Sequence, residues 1–149
     1  MINPFDLKTA LFAKHAQHVV LIHFPIALFM SGALFDWMGE RRKQALLTTA
    51  AYYNLSVAAI FTFPVLATGI LAWQLELEGQ GLKGTLLLHL LLACVSSLLI
   101  WLVWWTHFRA RRSAAPLPNY RLVLELLGVA VIGLTAHLGG FLSGVNTGA

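Results

Sequence analysis

The stretch GTLLLHLLLACVSSLLIWLVWW, residues 84–105, decides the fold. It contains no Asp, Glu, Lys or Arg, and a run of about 20 such residues is what a helix needs to cross the hydrocarbon of a bilayer. Lipid offers the backbone no hydrogen-bond partner, so a segment of this kind closes its own bonds as a helix. Working outward, three more apolar runs read as spans, over residues 18–38, 48–74 and 120–142. The basic run Gly39-Glu40-Arg41-Arg42-Lys43 closes the first. A polar turn with Glu76, Glu78, Gly79, Gly81 and Gly84 precedes the third, and a basic, proline-bearing loop from His107 to Asn119 precedes the fourth. Pro64 removes a backbone donor inside the second span and frees the carbonyl of Ile60, which predicts a kink. Four spans with short connections use nearly all of residues 1–149, so the expected fold is all-α: a single integral membrane domain, one up-and-down four-helix bundle.

Composition agrees. The chain is 58% hydrophobic and 11% charged, with a mean hydropathy of +0.75, far too apolar for a water-soluble domain of 149 residues. The net charge of +4 lies in short segments between apolar runs, where it orients helices rather than binding nucleic acid. Cys94 is the only cysteine, which excludes an internal disulfide and a Cys-x-x-Cys-His haem attachment. No cleaved signal peptide is expected from Met1–Lys14, and the Gly/Ser tail after Leu142 reads as unstructured or partner-bound. Arg41, Arg42, Lys43, Arg109, Arg111, Arg112 and Arg121 gather on one side, against Lys8, Lys14 and Lys83 on the other. The positive-inside rule then places both termini on the outer, periplasmic side of a bacterial inner membrane. Trp37, Trp104 and Trp105 at one edge and Trp73 at the other fit an interfacial aromatic belt.

His23 and His89 lie about five residues in from the outer ends of their spans, and His137 lies about five before the outer end of the fourth. At 1.5 Å per residue all three sit about 7–8 Å below one surface, with His18 and His15 above them. Ionisable groups in a span normally face the bundle interior or water, so a common depth points to one shared site. Haem iron clamped by two imidazoles is the first expectation, a non-covalent haem b buried in the bundle. Zinc or copper held by three histidines, with water or a substrate in the remaining position, is another, although the outer half offers only Glu76 and Glu78 as carboxylates to support the ligands. The plain alternative ties each histidine to a serine, a threonine or a backbone carbonyl. Pro25 frees the carbonyl of Leu21, a possible acceptor for a ligand histidine or simply a kink, and Gly139 and Gly140 remove bulk beside His137. Toward the opposite surface, Glu125 and Asp36 are candidates for proton transfer at a quinone site, with Glu125 also placed to pair with Arg121 four residues earlier. His107 reads as interfacial. No hydrolytic motif is present.

The stretch HVVLIHFPIAL, residues 18–28, resembles the opening motif of a bacterial family of small four-helix membrane proteins catalogued as domain of unknown function 2231. Leu71-Ala72-Trp73, His89 and His137-Leu138-Gly139-Gly140 match further elements of that pattern, while Val19 stands where the family favours proline. The resemblance covers nearly the whole chain and carries over His18, His23, His89 and His137. Some such proteins are joined to cytochrome-like modules, so the resemblance implies haem-linked electron transfer with quinone, a cytochrome c-like periplasmic carrier or a larger membrane complex as partner. An electron-transfer or accessory subunit is therefore expected rather than a stand-alone enzyme. A non-redox structural or assembly subunit is the alternative, and a metal-ion site or carrier the third reading.

Overall fold

The computed structural model describes residues 16–76, 78–79 and 81–143; His15, Met1–Lys14 and the tail from Gly144 lie outside them. Four α-helices follow in order: α1 (Ala16–Arg42), α2 (Ala45–Glu76), α3 (Gly84–Arg112) and α4 (Tyr120–Leu142). All four are long and apolar enough to span a membrane, and they enclose the four spans expected from the sequence. The protein is thus a multi-pass, all-helical membrane bundle. Most large side chains on its outside are Leu, Ile, Val and Phe, as a surface solvated by lipid tails requires.

The turns α1–α2 and α3–α4 share one end, here the hairpin end; Ala16, Ser143 and the α2–α3 turn share the other, the terminal end. Both hairpin turns are tight because each helix closes with a left-handed residue. Lys43 (φ 53°) lets the Gln44 N–H reach the Gly39 carbonyl at 3.0 Å, and Ala114 (φ 49°) lets the Ala115 N–H reach the Ala110 carbonyl at 3.0 Å. These are Schellman closures. One consequence departs from the sequence reading: the loop expected at residues 107–119 shrinks to 113–119, since α3 continues to Arg112 and carries His107 on a helical face.

Packing is lopsided along the bundle axis. The buried residues fall at 25–39 in α1, 51–62 in α2, 96–110 in α3 and 121–132 in α4, so beyond Pro25, Thr62, Ser96 and Ile132 none of the described residues toward the terminal end is buried. In α3 and α4 the buried positions 96, 100, 103, 107, 110 and 121, 125, 128, 132 repeat every three or four residues, the seam of helices crossing at a shallow angle. The core there comprises Phe29, Leu55, Ala58, Ala59, Ile100, Val103 and Ile132. Its closest approach is the Phe29 ring on Gly128, where a Cβ would lie 2.6 Å from Phe29 Cζ. Interhelical hydrogen bonds pin the register: Asn54 Nδ2 donates to Ser31 Oγ (3.0 Å), and Trp101 Nε1 and Trp104 Nε1 donate to Thr62 and Ser56 (3.0 and 3.1 Å). Trp37 and Trp105 are exposed, as an aromatic belt requires, but Trp104 is half-buried and joins α3 to α2.

Candidate functional site

The four sequence-derived histidines all lie in the loosely packed terminal-end half, divided between two helix pairs. His18 sits at the α1–α2 contact, its Nδ1 3.1 Å from the Thr68 hydroxyl and its ring against Gly69. His89 sits at the α3–α4 contact, half-buried, its Nδ1 3.1 Å from the Thr135 carbonyl and its ring against Gly139. His23 is exposed and turns back on its own helix, with Nδ1 2.6 Å from the Val19 carbonyl rather than at the Leu21 carbonyl that Pro25 frees. His137 is exposed and packs edge-on against Phe141. Successive helical residues turn by about 100°, so His137, two residues from both Thr135 and Gly139, points away from the face that His89 contacts. No three of these histidines bring ring nitrogens within 4.8 Å of one another.

Two of these contacts fix proton positions. A carbonyl oxygen only accepts, so His23 and His89 must each carry the proton on Nδ1 when neutral, and their Nε2 atoms hold the lone pairs. A metal-binding imidazole is prepared in this way: the outer nitrogen donates to a fixed acceptor, which sets ring orientation and tautomer.

The hairpin end holds a second constellation, drawn from three helices. Arg121 Nε donates to Asp36 Oδ2 at 2.7 Å and its Nη2 donates to Glu40 Oε2 at 2.8 Å. Glu125 and His107 share a hydrogen bond of 3.0 Å between Oε1 and Nε2. Asp36, His107, Arg121 and Glu125 are all buried, whereas Glu40 is half-exposed. The intrahelical Arg121–Glu125 pair expected from four-residue spacing is replaced, because two acids from α1 capture the guanidinium and an imidazole from α3 takes Glu125. Asp36 Oδ1 is buried without a hydrogen-bond partner. Among the described residues, Asp36, His107 and Glu125 are the His, Cys, Asp or Glu side chains that gather three ligand atoms within 4.8 Å of one another. An open cleft of about 260 Å³ reaches this cluster, bounded by Thr48, Tyr52, His107 and Arg111.

The family described as predicted membrane protein, domain of unknown function 2231, matches residues 14–146. The chain belongs to this family. No curated protein and no solved structure matches it. The His-Phe-Pro core of the domain 2231 opening motif now has structural content: His23 bonds its own helix, Phe24 stacks on Phe61 of α2 with ring centroids 4.9 Å apart, and Pro25 is buried between helices. The motif is thus partly a packing device for the α1–α2 pair.

His107 is the residue that sequence reasoning misplaced. Its signal was present: it continues the Ser96, Ile100, Val103 stripe at intervals of three and four, and the neighbouring Arg109, Arg111 and Arg112 drew it into a supposed loop.

Proposed function

We propose that the protein is a cytochrome-like electron-transfer subunit that holds a non-covalent b-type haem through His23 and His89. The observation that carries this reading is the paired Nδ1–carbonyl contact at these two residues, which leaves each Nε2 with its lone pair as an axial ligand needs. The residues fit the group in a further respect. They sit on α1 and α3, in the part of the bundle where few of the described side chains are buried. Haem, when bound, supplies one-electron exchange; the chain supplies two imidazoles, the Val19 and Thr135 carbonyls that orient them, and an apolar surround that keeps water away. We assign the hairpin end to the cytoplasm of a bacterial inner membrane, since Arg41, Arg42, Lys43, Arg109, Arg111 and Arg112 flank it. Haem near the terminal end would then face a periplasmic carrier or membrane quinone.

The absorption spectrum of the purified protein tests this. A Soret band that sharpens on reduction is expected, and His23→Ala or His89→Ala should abolish it. Full haem occupancy in both variants would sink the assignment. A second reading rests on His18 and His89 bridging their helix pairs through Thr68 and Thr135: an assembly subunit in which the histidines only staple helices. It expects a colourless protein without stoichiometric iron that co-purifies with other membrane subunits.

A further inference from the structure

We propose that Asp36, His107 and Glu125 form a site for one divalent first-row metal ion of the zinc class at the hairpin end, independent of any haem. Each ligand comes from a different helix, α1, α3 and α4, and all three are buried. Their ligand atoms already lie within 4.8 Å of one another, so small side-chain adjustments bring them onto one ion. One imidazole with two carboxylates is a donor set that zinc and its neighbours accept in four-coordinate geometry.

The state of Asp36 points to an ion rather than to an ordinary ion pair. Oδ2 accepts from Arg121, whereas Oδ1 is buried with no partner, and a bare buried carboxylate oxygen demands an explanation. Arg121 engages the carboxylate through Oδ2 alone, as hydrogen-bond partners of a metal-ligating carboxylate do. Charge supports the same conclusion. Arg121 is shared between Asp36 and Glu40, so the four groups Asp36, Glu40, Glu125 and Arg121 sum to two negative charges, which a divalent cation cancels. Transfer of one proton to His107 gives Glu125 a partner but leaves Asp36 Oδ1 bare. Access exists as well, because His107 borders the open cleft between Tyr52 and Arg111.

The full-length protein in detergent, stripped with chelator and titrated with Co²⁺, tests the site. One equivalent should bind and give the intense visible bands of a four-coordinate centre. His107→Gln and Glu125→Gln should each abolish those bands, and Arg121→Lys should weaken binding by about 10-fold. A His23→Ala/His89→Ala double variant should retain them. Absence of Co²⁺ binding to the wild-type protein, or bands that survive both His107→Gln and Glu125→Gln, would overturn the proposal. Should those variants fail to fold, X-ray absorption of the Co²⁺-loaded wild type decides. One imidazole among oxygen ligands supports the site, and two or more imidazoles, the signature of the terminal-end histidines, overturns it.

Discussion

The two ends of this bundle solve opposite problems with the same four helices. At the hairpin end Phe29, Leu55, Val103 and Ile132 interlock around a buried set of charges. Toward the terminal end, beyond Pro25, Thr62, Ser96 and Ile132, no described side chain is buried, and His18, His23 and His89 bond a hydroxyl or a carbonyl. Charge in a low-dielectric interior persists only where geometry is enforced, because breaking one partner strands the other. Neutral imidazoles tolerate looseness. The difference teaches that tight packing is concentrated along one half of the bundle: the hairpin end fixes the helices, and the terminal end buries little.

Stability measurements can break that comparison. The largest effect is expected for Arg121→Met, which leaves Asp36 and Glu40 without their cation; loss of a buried partner costs about 3–5 kcal/mol. Reversible unfolding in mixed micelles, with metal removed, measures it. A cost close to that of a terminal-end histidine substitution would refute the claimed division. Next comes Gly128→Val, which drives a side chain into the Phe29 ring; overpacking of this kind costs about 1–3 kcal/mol. The same substitution at Gly133, where a Cβ meets nothing within 4 Å, should be nearly silent, and equal effects at the two glycines would show that α4 is not seated as described.

A sharper contrast lies between two single hydrogen bonds on the terminal side of the bundle, one in each helix pair. Ser96→Ala removes the 2.9 Å contact with Thr135 that joins α3 to α4, and interhelical bonds in membranes average about 0.6 kcal/mol. Thr68→Val at the His18 contact should cost no more than that in stability. If His89 is a haem ligand, however, Ser96→Ala should shift the haem spectrum, because its partner Thr135 orients His89, while Thr68→Val at His18 should leave it in place; identical spectra in the two variants would count against the assignment of His89.

Much of this was legible in the sequence, and the omissions have physical causes. Run length and the absence of charge over residues 84–105 specify a span whatever its neighbours do, and alternation of short turns leaves little freedom in topology. The placement of His23, His89 and His137 toward one end of their helices followed from their positions in the spans. Azimuth did not, because facing direction depends on which helix packs where: His89 meets Thr135, while His137 is turned outward from the same helix. The buried cluster was half visible. Asp36 and Glu125 stood out as acids inside spans, but their partners come from residues 18 and 85 positions away, and local i,i+4 spacing suggested the wrong pair.

The turns give the smallest and cleanest test, since they isolate backbone from packing. At the terminal end a glycine, Gly84, takes φ 54°, and a Cβ there would meet nothing within 4 Å. At the hairpin end Ala114 takes nearly the same angle, φ 49°, with a Cβ present. Left-handed backbone costs an L-residue about 1–2 kcal/mol, whereas glycine adds about 0.5–1 kcal/mol of unfolded-state freedom. Gly84→Ala should therefore destabilise by about 0.5 kcal/mol and Ala114→Gly should stabilise by a similar amount, each read as a shift in unfolding midpoint. The signs matter more than the sizes. Ala114 closes α3 seven residues after His107, so a loss of stability in Ala114→Gly would mean that the methyl group packs to hold the end of α3, and with it His107, in register against Glu125.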